Sequence, residues 1–276
     1  MIFGLWGEDK TCKTTLALTF PKPLVFMEFD IGGFDRAIYR FQEELDKELT
    51  CYEPYPMPMT FGTLDPAHLA IKPTKIIIGM KELFYKWAAS YLKHLNDPKI
   101  KTIVIDTATL MYSINCDCYL QELQEKQLPL RTDGKGSDGK TLRSQLLQIE
   151  YREPNNRMRG ILYNAKSHDK NLVMVHHARD EYKPMPQKDG SLASAATGKR
   201  VRSGFTTLGD SADVIVHTFI KEEPVMDKGK QIGVKATPFC SVDLSEVLEL
   251  AGMEFKQPNY DDIYRAISFI KGGRGK

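Results

Sequence analysis

The chain has 276 residues, 42% of them hydrophobic and 27% charged, which supplies a full apolar core and excludes a disordered or disulfide-stapled chain. A formal net charge of +2 excludes a generally basic nucleic-acid coat, so any such contact must come from local clustering. Five cysteines without framework spacing point to reduced thiols in the cytoplasm, and no run suits a signal peptide or membrane span, so no membrane partner is expected.

The first predicted strand is Met1-Ile2-Phe3-Gly4-Leu5-Trp6. It leads through Gly7-Glu8-Asp9-Lys10-Thr11-Cys12-Lys13-Thr14-Thr15 into Leu16-Ala17-Leu18, the opening of a helix. Strand, Lys-Thr loop and helix in this order are the setting of a phosphate-binding P-loop. Its amides and the helix N-terminus would cradle phosphates, Lys13 would reach the β- and γ-phosphates, and the Thr14 hydroxyl would ligate Mg²⁺. Cys12 stands where the pattern has glycine, at a position that demands an unusual backbone angle. The strand starts at Met1, so an oligomerisation arm is expected elsewhere.

A second buried strand, Pro23 to Asp30, ends at Gly32-Gly33. Residues 43–75 are irregular and proline-rich. Leu83, Phe84, Trp87, Ala88, Tyr91, Leu92 and Leu95 share one helical face. Lys101 to Asp106 reads as a third strand with a carboxylate at its end, followed by a helix from Met111 to Gln127. Residues 133–140 are loop-like, and Leu142–Glu150 and Arg157–Ser167 read as helices. Asn171 to His176 is a fourth strand, and 181–206 a long polar, mobile loop. Strands follow at Asp213–His217 and Ile232–Thr237, helices at Leu244–Leu250 and Tyr260–Ile270, and a flexible tail at 271–276. Alternating strands and helices predict one α/β domain over 1–276, with a mostly parallel sheet covered on both faces. Ligands bind such sheets beyond the C-terminal strand ends, where Gly7, Asp30, Asp106 and His176 all fall.

Asp106 after Thr102-Ile103-Val104-Ile105 has the form of a Walker B carboxylate that holds Mg²⁺ beside Thr14. With the P-loop, this order resembles the RecA-like ATPase core. Within it the chain is similar to small phage RecA-like ATPases linked to single-strand annealing and recombination, through Glu150 to Asn155, Ala212-Asp213-Val214 and Ala251 to Ile267. The resemblance implies a slow, DNA-stimulated ATPase using ATP and Mg²⁺, in the host cytoplasm if phage-encoded. It implies that a carboxylate after the second strand activates water, Asp30 or its rival Glu28. It also implies a polar γ-phosphate sensor after the fourth strand, His177 or its neighbour His176; adjacent strand residues point to opposite sides, so one of them faces the nucleotide.

The family places a DNA-contacting loop after the sensor strand, and here that interval carries Lys183, Lys188, Lys199, Arg200 and Arg202, with Phe205 to stack on a base. Single-stranded DNA is therefore the expected partner, with a single-strand DNA-binding protein and a second copy of the chain as further ones. Two other readings stay open from the residues alone: a P-loop kinase of a nucleotide or small metabolite, and a non-hydrolysing nucleotide-binding mediator of recombination.

Overall fold

The computed structural model describes residues 1–39, 41, 43, 49–58, 64–65, 70–71, 76–127, 143–186, 192–227 and 230–273. β1 (Ile2–Gly7) lies inside a nine-stranded sheet. On one side β7 (Asn171–Pro186), β6 (Thr102–Asp106), β2 (Leu24–Glu28) and β3 (Thr50–Pro54) follow in that order, all parallel to it. On the other side β9 (Val214–Asp227) is parallel to β1, and β10 (Lys230–Ser245) and β11 (Glu254–Lys256) finish the edge in antiparallel fashion. β8 (Leu192–Arg202) pairs antiparallel with β7, and β4 (Leu64–Asp65) pairs with β5 (Ala70–Ile71) in a separate sheet.

The alternation of strand side chains divides the core in two. Ile2, Trp6, Val25, Met27, Ile103, Ile105, Leu172 and Met174 face α3 (Met80–Asn96), α4 (Ala108–Gln127) and α5 (Arg152–Ser167). Phe3, Leu5, Leu24, Phe26, Val104, Val173 and Val175 face α1 (Lys13–Ala17), α2 (Gly33–Ile38) and α6 (Tyr260–Gly273). Strands buried on both faces read as continuous apolar runs, which is why β1, β2, β6 and the first half of β7 stand out in the sequence. Of the apolar face on α3, Phe84, Trp87, Tyr91 and Leu95 are buried while Leu92 is exposed. Among the described residues, no helix is long and apolar enough to cross a membrane, and none of the five cysteines is in a disulfide.

Four expectations need correction. The described parts of 181–206 are no irregular loop: β7 runs on to Pro186 and pairs antiparallel with β8, registered from Ala178↔Arg202 to Pro186↔Leu192. Both faces of this pair are largely exposed, so no apolar side marks the strands. The described part of Leu142–Glu150 is not an α-helix; one 3₁₀ turn over Gln148–Tyr151 leads into α5, which starts five residues earlier than expected. Leu244 and Ser245 end β10, and only a 3₁₀ turn at Leu248–Leu250 remains of the helix expected there. The tail is helical through Gly273. The 133–140 loop lies outside the described residues.

Candidate functional site

β1 stops at Gly7, but the strands on both its sides continue, β7 to Pro186 and β9 to Asp227. The phosphate loop therefore starts in a notch between two hairpins. Gly7 is required by close approach: a Cβ there would lie 2.2 Å from the carbonyl oxygen of Thr218 on β9. Thr11 Oγ1 lies 2.7 Å from Thr218 Oγ1 and donates to the Glu8 carbonyl at 2.8 Å, which pins the loop to β9 and closes it on itself. Lys10 and Cys12 adopt left-handed backbone angles, φ 62° and 66°. For an L-residue this conformation costs about 1–2 kcal/mol. Cys12 thus occupies a position whose geometry suits glycine, as its place in the motif predicted.

α1 is only five residues long, so its end would add less than expected to the binding of an anion, and the loop amides and Lys13 would have to carry more of it. Lys13 Nζ folds back to donate to the carbonyls of Gly7 at 3.1 Å and Glu8 at 2.6 Å. Burial lowers its pKa, against the pull of Asp106, Asp9, Glu8 and Asp30. Thr14 Oγ1 donates to Asp106 Oδ2 at 2.7 Å. Burial pushes the Asp106 carboxyl up to about 7, opposed by that hydrogen bond and raised further by Glu28. A hydroxyl and a carboxylate in contact are hard oxygen donors of the kind Mg²⁺ takes. Gly33 keeps a side chain out of the space beside them: a Cβ there would lie 3.1 Å from Glu28 Oε1, 3.6 Å from Thr14 Oγ1 and 3.8 Å from Asp106 Oδ2. The residues present fit a magnesium ion.

The carboxylate alternatives separate by burial. Glu28 is fully buried and accepts from the amides of Phe34 (2.7 Å) and Gly32 (3.3 Å) and from Tyr52 Oη–H (2.7 Å). It holds the turn between β2 and α2. Asp30 is exposed and lines a cavity of about 580 Å³ together with Asp9, Lys13, Thr14, Asp106 and His177. The histidines separate in the same way. His176 is fully buried, its Nδ1 3.0 Å from the Ser203 carbonyl and its Nε2 without a partner among the described residues. His177 faces the cavity between two carboxylates, 3.7 Å from Asp9 Oδ1 and 3.7 Å from Asp30 Oδ2. Thr107 caps α4, its carbonyl accepting from Met111 N–H and its hydroxyl from Leu110 N–H.

Sequence reasoning missed Arg36 of α2, which lines the same cavity beside Gly33. The signal available was a cation three residues after the Gly32-Gly33 break. It also missed the tie between loop and hairpin: Arg200 of β8 grips Glu8 through Nε (2.5 Å) and Nη2 (3.0 Å), and Asp180 through Nη1 (2.7 Å).

The residues named for DNA contact scatter. Phe205 is 1% exposed and packs in the core near Tyr112, so it has no free face for a base, a correction to the expected stacking role. Arg202 donates to the carbonyls of Phe205 and Thr206, both at 3.1 Å. Lys183 and Lys199 are exposed on the hairpin, Lys183 within 3.1 Å of Glu181. Lys188 lies outside the described residues.

No family model matches the chain, and no curated protein sequence matches it. Among solved structures it is similar to a KaiC-like protein from the hyperthermophilic archaeon Pyrococcus horikoshii OT3, with 12% identity over 92% of this chain and 84% of that one, at a TM-score of 0.42. A likeness that loose says nothing about activity.

Proposed function

We propose that the chain is a RecA-like P-loop ATPase that binds ATP with Mg²⁺ and hydrolyses it slowly, coupled to single-stranded DNA. The observation that carries the reading is convergence: Lys13, Thr14, Asp30, Asp106 and His177, from four separate segments, line one cavity at the C-terminal rim of a parallel sheet.

Thr14 and Asp106 would hold the metal, which when bound neutralises charge on the β- and γ-phosphates. Lys13, released from the Gly7 and Glu8 carbonyls, turns to the phosphates and stabilises the charge that builds up as the bond breaks. Asp30 accepts a proton from water as the water oxygen attacks the γ-phosphorus. The bond from that phosphorus to the bridging oxygen breaks, and ADP keeps the electron pair. His177 contacts the γ-phosphate and sits on the strand that runs on into the β7–β8 hairpin, where Lys183 and Lys199 are exposed. Strand continuity is what supports coupling to a nucleic acid there.

The test is ATP turnover by the purified chain, with and without single-stranded DNA, beside Lys13→Ala. We expect stimulation by DNA and a loss of at least about 100-fold in the variant. Turnover that needs a small acceptor and ignores DNA would replace this reading with a kinase. Tight ATP binding without turnover would make the protein a nucleotide-binding module.

A further inference from the structure

The groove that starts at His177 does not end at the phosphate loop. Lys13, Thr14, Gly33 and Arg36 line both the cavity described above and a smaller hollow around Cys12 and Thr15. Cys12 and Thr15 in turn line a third hollow, of about 460 Å³, on the β9–β10 side of the loop. Its apolar walls are Leu16 of α1, Ile220 of β9, Pro238 of β10 and Pro258 beyond β11. Its polar groups are Lys235 and Gln257, with the Thr15 hydroxyl and Cys12 thiol on the loop side, and among the described residues no carboxylate lines it.

The backbone of Gln257 is tied to β10 while its exposed side chain lines the hollow. Its backbone N–H donates to the Pro238 carbonyl at 2.8 Å, and its φ of 48° is one that side chains other than Gly, Asn and Asp rarely adopt. Ile220 is 39% exposed, so it offers the hollow an apolar wall that the fold itself leaves open to water.

We propose that this third hollow is the site of the nucleotide's base, and that Gln257 makes it selective for adenine. The proposal rests on the phosphate-binding reading above, because the groove runs on from that site. A planar base would lie against Pro238, Pro258 and Ile220, where it replaces water on both apolar partners. The amide of Gln257 offers a donor and an acceptor side by side, the complement of adenine's acceptor nitrogen and its N6–H. Guanine carries two donors, N1–H and N2–H, that need an acceptor such as a carboxylate. Among the described residues no carboxylate lines the hollow, and a single amide or hydroxyl oxygen cannot take both donors, so a buried donor left unpaired weakens binding.

The experiment is calorimetric titration of the intact chain with MgATP, MgGTP and magnesium tripolyphosphate. It compares the parent with Gln257→Met, Ile220→Gln and Lys13→Ala, each checked for an unchanged melting curve. Gln257→Met keeps the shape of the side chain and removes its hydrogen bonds; Ile220→Gln removes apolar wall from a position already half open to water. The parent should bind ATP about tenfold or more tighter than GTP. Gln257→Met should weaken ATP about three- to tenfold and leave GTP alone, which narrows the preference by the same factor. Ile220→Gln should weaken both nucleotides about threefold. Neither should change tripolyphosphate. Equal ATP and GTP affinities, with both variants unchanged and tripolyphosphate still bound in a Lys13-dependent way, would overturn the base site and leave the phosphate site standing. Absence of binding by ATP and tripolyphosphate alike would overturn both.

Discussion

Gly7 shows how much one missing atom can carry. Its Cα passes so close to β9 that a methyl group would meet the Thr218 carbonyl at 2.2 Å and the Thr218 hydroxyl at 2.6 Å. Backbone cannot swing aside as a side chain can, so the strand pair itself would have to open. Gly7→Ala should therefore destabilise the fold by about 2–3 kcal/mol, read as a lower urea midpoint, although alanine is the smallest change available. An unchanged midpoint would mean that β9 yields freely at Thr218. At this scale the sequence says much about the phosphate loop, because its residues are neighbours in the chain. It says little about Phe205, whose burial depends on Tyr112, distant in sequence. The parity of a strand told that His176 and His177 point apart, but choosing between them required knowing which side α4 covers.

The β7–β8 hairpin gives the same lesson one level up. A strand is conspicuous in a sequence when one or both of its faces are apolar, and the outer half of β7 has neither. The inner half was plain for the opposite reason. Where the two halves meet, His176 lies fully buried, and burial lowers its pKa well below 6.5, helped by the nearby Arg202 and His177 and opposed by its bond to Ser203. The folded state thus excludes a proton that the unfolded chain binds. Stability from this group is complete above about pH 7.5 and falls as pH drops below 6.5, by at most about 1.4 kcal/mol per unit. Asp106 works the other way, since a carboxyl raised to about 7 takes up a proton in the fold before the unfolded chain does. The histidine is isolated by difference: in urea titrations from pH 7.5 to 5.5, His176→Asn, whose amide can still donate to Ser203, should lose less stability than the parent. Parallel curves would show that His176 is protonated without cost.

The whole molecule is two apolar layers on one sheet, and this much follows from composition and from the apolar runs of four strands. Trp87 sits at the centre of the layer formed by α3, α4 and α5, fully buried and in ring contact with Phe29, Phe84 and Tyr91. Trp87→Ala should cost about 3–5 kcal/mol and lower the melting temperature by several degrees, with nucleotide affinity preserved in the protein that remains folded. A drop in affinity without a drop in stability would show that this layer shapes the site directly. The antiparallel edge, by contrast, was legible only in part: the strand expected at Ile232–Thr237 is a piece of β10, which runs from Lys230 to Ser245. β10 carries exposed Ile232, Val234 and Leu244, so its apolar residues do not track its buried side.

The contact between Glu8 and Arg200 acts as a clasp. One jaw belongs to the loop that would embrace phosphates, the other to β8 of the exposed hairpin. The hairpin cannot tilt without dragging Glu8 along or letting go of it. Whatever seizes Arg200 from outside, an anion above all, competes with the loop for the same guanidinium. By the reciprocity that binds any two linked equilibria, a ligand that stiffens the loop must change that outside grip by the same factor.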